Sequence, residues 1–124
     1  MKLLPDKLHW SVWALSRPMS EQIDCFPAEV PAAEELGLEF EEHYEPSLAA
    51  QGDKWNDMQV ESLRALDEQI ATMSGSGQSH LWLDADALTR PEWAAVRDLA
   101  NRVLEAFDFL ANKPTRNPAI YLTE

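Results

Sequence analysis

The chain has 124 residues and a formal net charge of −12, with 45% hydrophobic residues and five tryptophans. That apolar content excludes a wholly disordered acidic tail, and the length gives room for one ordinary hydrophobic core. The negative balance opposes direct adhesion to phosphate backbones or anionic membranes, because Lys and Arg supply that attraction.

At the amino end, Leu8 to Leu15 fits a strand with two apolar faces or a helix beginning near Pro5, since Leu8, Val12 and Leu15 share a helical face. The first fifteen residues are interrupted by Pro5, Asp6, Lys7 and His9, unlike a secretory leader. No apolar run approaches the roughly 20 residues that cross a bilayer. Cys25 is the one cysteine, so no intramolecular disulfide is available. These features place the expected location in a reducing cytoplasm.

Charge is concentrated in the next segment. Between Pro18 and Asp53 stand ten carboxylates and no Lys or Arg: Glu21, Asp24, Glu29, Glu34, Glu35, Glu39, Glu41, Glu42, Glu45 and Asp53. Pro27, Pro31 and Pro46 divide it. Ala32 to Leu36 reads as a short helix stopped by Gly37, Leu38 to Glu41 alternates like a short strand, and Pro46 to Asp53 reads as a connection.

Leu63, Leu66, Ile70 and Met73 make the stripe of a helix starting near Lys54 or Asp57 and ending at Met73. Gly75-Ser76-Gly77 breaks that pattern, leaving Ser74 to Ser79 as a loop. This loop has glycines but lacks the lysine of a phosphate-binding loop. His80 to Asp84 reads as a short strand. Thr89-Arg90-Pro91-Glu92 then fits a capping box, followed by a helix from about Arg90 to Leu110. Trp93, Val96, Leu99, Val103 and Phe107 mark its inward face. Ala119 to Leu122 offers a final strand or part of a flexible tail over 113–124. The pattern predicts one acidic α+β domain over 1–124, with two principal amphipathic helices packed on a small mixed or antiparallel sheet.

Asp84-Ala85-Asp86, directly after Leu81-Trp82-Leu83, resembles the first motif of haloacid-dehalogenase-type phosphatases. The resemblance covers about ten residues and implies Asp84 as nucleophile and Asp86 as acid and base. The stretch after Asp86 is too short for that family's doubly wound core, so these acids are expected to be turn formers. His80, Asp84, Asp86 and Glu92 remain the candidates for the alternative reading of a small metal-dependent hydrolase.

His43 has acidic neighbours in either conformation: Glu39 in a helix, Glu41 and Glu45 in a strand. Neither geometry completes a ligand set, so no metal or cofactor is expected. The nearby acids are expected to raise the His43 pKa. Glu21 and Asp24 oppose thiolate formation at Cys25, which reads as a structural thiol.

The leading expectation is an acidic protein-binding module, an inhibitor or immunity protein that masks a basic surface. Its interface candidates are Glu34, Glu35, Glu39, Phe40, Glu41, Glu42, Tyr44 and Glu45, with the two aromatics serving as anchors where exposed. The expected partner is a basic protein, with no direct nucleic-acid or membrane binding. A structural subunit of a larger assembly, with Trp10, Trp13 or Trp55 in an exposed patch, is the third alternative.

Overall fold

The computed structural model describes residues 4–109. Among these residues the secondary structure is entirely helical. Five α-helices follow in order: α1 (Asp6–Ser16), α2 (Met19–Asp24), α3 (Ala32–Gln51), α4 (Asp57–Thr72) and α5 (Pro91–Ala106). Three 3-10 turns, Gly52–Lys54, Ser79–Leu81 and Ala87–Thr89, complete the regular structure. The α+β expectation is therefore corrected to a helical bundle. The expected strand at Ala119–Leu122, the tail over 113–124 and the last residue of the expected final helix lie outside the described residues.

Proline sets the helix starts. Pro5, Pro18 and Pro31 each occupy the N-cap of the helix that follows. At α5, Pro91 is the first helical residue, where its missing N–H removes no helical bond. A residue preceding proline is pushed toward extended backbone, and Arg90 has φ −70° and ψ 149°. That makes Arg90 the N-cap, so Thr89 and Glu92 fall one register away from a capping box. Thr89 Oγ1 instead donates to the Asp86 carbonyl at 2.6 Å.

The reciprocal box is found at α4. Asn56 Oδ1 accepts from the Gln59 amide at 2.8 Å, and Gln59 Oε1 accepts from the Asn56 amide at 2.9 Å.

The expected strands fail for separate reasons. Leu8 to Leu15 takes the helical alternative, with Leu8, Val12 and Leu15 fully buried. Leu38 to Glu41 lies inside α3, where Leu36, Phe40, Tyr44 and Ser47 share the buried face at three- and four-residue spacing. That period runs through Gly37 and Pro46, although Pro46 removes one amide donor from the ladder. Of the stretch from Pro46 to Asp53, expected to be a connection, residues 46–51 are thus the last part of the helix and the other two begin the 3-10 turn Gly52–Lys54. His80 to Asp84 has no strand to pair with among the described residues. Its Leu81 end is a 3-10 turn held by two indoles: Trp82 Nε1 donates to Met73 O at 2.8 Å, and Trp93 Nε1 to Leu81 O at 2.7 Å.

The core lies among α1, α3, α4 and α5. Helix α5 packs against both α1 and α4, and α3 packs against α1. Trp93, Val96, Val103 and Phe107 face inward from α5, whereas Leu99 is only partly buried. Leu63, Leu66, Ile70 and Met73 do so from the α4 segment. Trp10 and Trp55 are also buried, and Trp13 lies under the Arg17 guanidinium at 5.3 Å. The tryptophans expected in an exposed assembly patch therefore serve mainly the interior.

Candidate functional site

Glu34, Gly37, Leu38, Glu41 and Glu45 recur along α3 at spacings that put them on one side of the helix. They face Asp67, Ile70 and Ala71 of α4, and Ser74, Gly75 and Trp82 complete the enclosure. The result is an open groove of about 550 Å³. Its apolar surface comes from Leu38, Ile70, Ala71 and Trp82, and its charge from Glu34, Glu41, Glu45 and Asp67. Among the described residues no Lys, Arg or His lines it.

Helix α3 approaches Trp82 through a glycine. A Cβ on Gly37 would lie 2.5 Å from Trp82 Cζ3, well inside van der Waals contact. The indole is itself fixed by its bond to Met73 O and by an edge contact with Trp93, at 5.4 Å between ring centroids. Gly37 therefore admits the ring that closes one end of the groove rather than ending the helix.

The groove carboxylates crowd one another, with no countercharge among the described residues of the lining. Glu41 is solvent-exposed as a residue, yet partial desolvation pushes its carboxyl up to about 7, helped by a hydrogen bond to Asp67 and by the charges of Asp67 and Glu45. A nearby like charge disfavours the ionised form of a carboxyl, which is the sense of the rise at Glu41. Burial, followed by Asp67 and Glu45, also raises the Tyr44 phenol. The nearby Arg64 is engaged by Glu61 at 2.7 Å.

The other sequence candidates on α3 have different surroundings. Phe40 and Tyr44 are buried and stacked with centroids 5.2 Å apart, so they are core residues and not exposed anchors. Glu39 is also buried, with its Oε1 3.5 Å from His43 Nε2. Desolvation raises the Glu39 carboxyl, with Glu42 and Glu35 acting in the same direction and Lys7 opposing. The expected rise at His43 is reversed: burial lowers it, and the Glu42 charge that raises it does not prevail. Both members of the Glu39–His43 pair consequently favour their neutral forms. Glu35 is half-buried and Glu42 exposed, and neither lines the groove.

The residues of the hydrolase alternative are not gathered into a ligand set. Asp84 and Asp86 both face Arg90 Nη2, at 3.9 and 3.6 Å. Glu92 is exposed in the first turn of α5, and His80 is half-buried in the 3-10 turn before Trp82. The phosphatase-like motif also lacks the strand that its resemblance implied. Among the described residues no group of three or more His, Cys, Asp or Glu side chains is placed to hold a metal ion. Cys25 Sγ donates to the Glu21 carbonyl at 3.4 Å. None of the described helices is long and apolar enough to cross a membrane.

Sequence reasoning missed Asp67, Leu38 and Trp82 as partners in one groove. Asp67 and Trp82 are brought to α3 only by tertiary packing. Leu38 carried a legible signal, because a leucine between charged residues on the polar side of α3 is exposed at 55%. No family model matches the sequence, and comparisons with curated proteins and with solved structures likewise find no match.

Proposed function

We propose that this chain is an acidic protein-binding module whose α3–α4 face docks onto a basic surface of a partner protein, in the manner of an inhibitor or immunity protein that masks a cationic cleft. The observation carrying this reading is the groove in which Glu34, Glu41, Glu45 and Asp67 accompany an apolar lining, with no cation among the described residues that line it. Such a surface speeds encounter with the opposite charge over a range set by ionic strength. The apolar lining gives the docked partner a reason to stay once the charges have met. Charge of this sign favours a basic protein over nucleic acid or an anionic membrane. The lone Cys25 is compatible with a cytoplasmic place of action.

The test is affinity capture from the native organism at low and moderate salt, followed by association rates of the captured protein with the wild type and a Glu34→Gln/Glu41→Gln/Glu45→Gln variant. The reading expects slower association of the folded variant, most marked at low salt. Equal rates at low salt would move the interface away from this face.

A further inference from the structure

A second groove, of about 370 Å³, adjoins the acidic one. It is lined by the segment 27–33, which leads into α3, and by the loop from Trp82 to Leu88, with Ile23 at its edge. Its lining is mainly apolar, with Glu29 and Asp84 the charged members. Trp82 lines both grooves. The first turns of α3 also serve both: Ala32 and Ala33 border the second groove, while Glu34 and Gly37 border the first.

Three of the six large apolar side chains exposed among the described residues lie along the same track, while Met19, Leu48 and Met58 lie outside both linings. Leu38 borders the acidic groove, whereas Leu83 and Ile23 border the apolar one, and all three are more than half exposed. A surface that used only charge would gain nothing from three such residues around a fixed indole.

We propose that the two grooves flanking Trp82 form one bipartite docking track for an amphipathic basic segment of a partner protein, with Arg or Lys entering between Glu34, Glu45 and Asp67 and a neighbouring apolar side chain entering between Ile23 and Leu83. This rests on the protein-binding reading above and specifies what the partner must carry. Charge complementarity selects the cation, since among the described residues four carboxylates and no cation line that half. The adjoining half offers apolar area, which one charged side chain alone cannot cover. Trp82, which lines both halves, suits a guanidinium, which packs against aromatic rings as well as pairing with carboxylates. Crowding at Glu41 supports the same polarity: a cation entering the groove supplies a countercharge that favours the ionised Glu41 carboxylate.

The test titrates the intact protein, in low-salt buffer, with a short synthetic peptide carrying an arginine pair beside a leucine pair. Control peptides replace the arginines by glutamine or the leucines by serine. NMR signals of Leu38 and Ala71 report on the acidic half, those of Ala28 and Leu83 on the apolar half, and the Trp82 indole on the junction that both halves share. The expected result is movement in both halves with the parent peptide, and about tenfold weaker binding by either control. Glu45→Gln should reduce the arginine dependence, and Leu83→Ser the leucine dependence. Both positions are exposed, so the fold is retained.

Shifts confined to the acidic half, with equal affinity for the serine control, would overturn the bipartite track but leave the basic-partner reading standing. No response from either half would overturn both. Spermidine reproducing the full set of shifts would assign the track to a small polyamine instead. The same shifts appearing on concentrating the protein without peptide would assign it to a second copy of this chain.

Discussion

Gly37 and Trp82 are complementary: a side chain at position 37 would occupy the place of the indole, with Cβ and Cζ3 2.5 Å apart. The ring cannot retreat cheaply, because its N–H is bonded to Met73 O and it makes a T-shaped contact with Trp93. Gly37→Ala sets two effects against each other. Alanine gains roughly 1 kcal/mol of helix propensity over glycine, while overpacking a fixed ring costs about 1–3 kcal/mol. The clash should prevail, giving a lower midpoint in denaturant and a changed tryptophan emission. A variant as stable as the wild type, with unchanged emission, would show that Trp82 moves freely.

Glu41 makes a pH prediction whose sign follows from its raised carboxyl. Its value is about 7 in the folded protein against an ordinary 4.5. Between those values the native state retains a proton that the unfolded state releases. The contribution is therefore fully present below about 4.5 and is lost as pH rises through about 7. Glu39 is shifted in the same direction, while His43, lowered by burial, gives an opposite slope below its ordinary 6.5. Glu41→Gln leaves those two in place and removes the first effect. Melting temperatures from pH 4 to 8 should fall less toward alkaline pH in the variant than in the wild type. Parallel profiles would mean that the carboxyl titrates normally.

Residues 57–72 and 91–106 were legible as helices because their apolar positions recur at helical spacing and large inward residues are buried. The remaining errors came from reading local punctuation without its tertiary partner. Gly37 looked like a helix stop, but glycine there answers to the Trp82 ring. Leu81-Trp82-Leu83 looked like a strand, but its backbone is fixed by indole hydrogen bonds spanning nine and twelve residues. The acidic character of the site was readable from α3 alone. Its fourth carboxylate, Asp67, and its aromatic end wall were not, because packing brings them from separate elements.

The displaced capping box gives a paired test. Asn56→Ala removes a hydrogen bond that holds the first turn of α4, and such losses typically cost about 1 kcal/mol. Thr89→Ala removes a hydroxyl that bonds only to the Asp86 carbonyl in an exposed turn, so it should cost about 0.5 kcal/mol or less. Chemical denaturation of both variants measures the order. If Thr89→Ala were the more damaging, the start of α5 would lie at Thr89 after all.

Gln22 is the most consequential polar residue outside the groove. It is completely buried, and its Nε2 donates to the Ala14 and Leu15 carbonyls at 3.1 and 3.0 Å near the end of α1. Its Oε1 accepts from Arg97 Nη1 at 3.0 Å, while Arg97 Nη2 reaches the Leu88 carbonyl at 3.2 Å. One amide thus joins α1, α2 and α5, and through Arg97 the turn before α5. Gln22→Leu keeps much of the volume but takes the amide from the Leu15 carbonyl and from part of a half-buried guanidinium, while the Ala14 carbonyl keeps the Arg17 amide at 3.3 Å. A buried group deprived of its hydrogen bond costs about 1–3 kcal/mol, so the single variant should lose at least about 2 kcal/mol. Adding Arg97→Leu should recover part of that loss, because the second change removes the stranded charge. Denaturation of the two single variants and the double variant completes the cycle. Strict additivity would show that Gln22 and Arg97 stabilise the bundle independently, despite the bond between them.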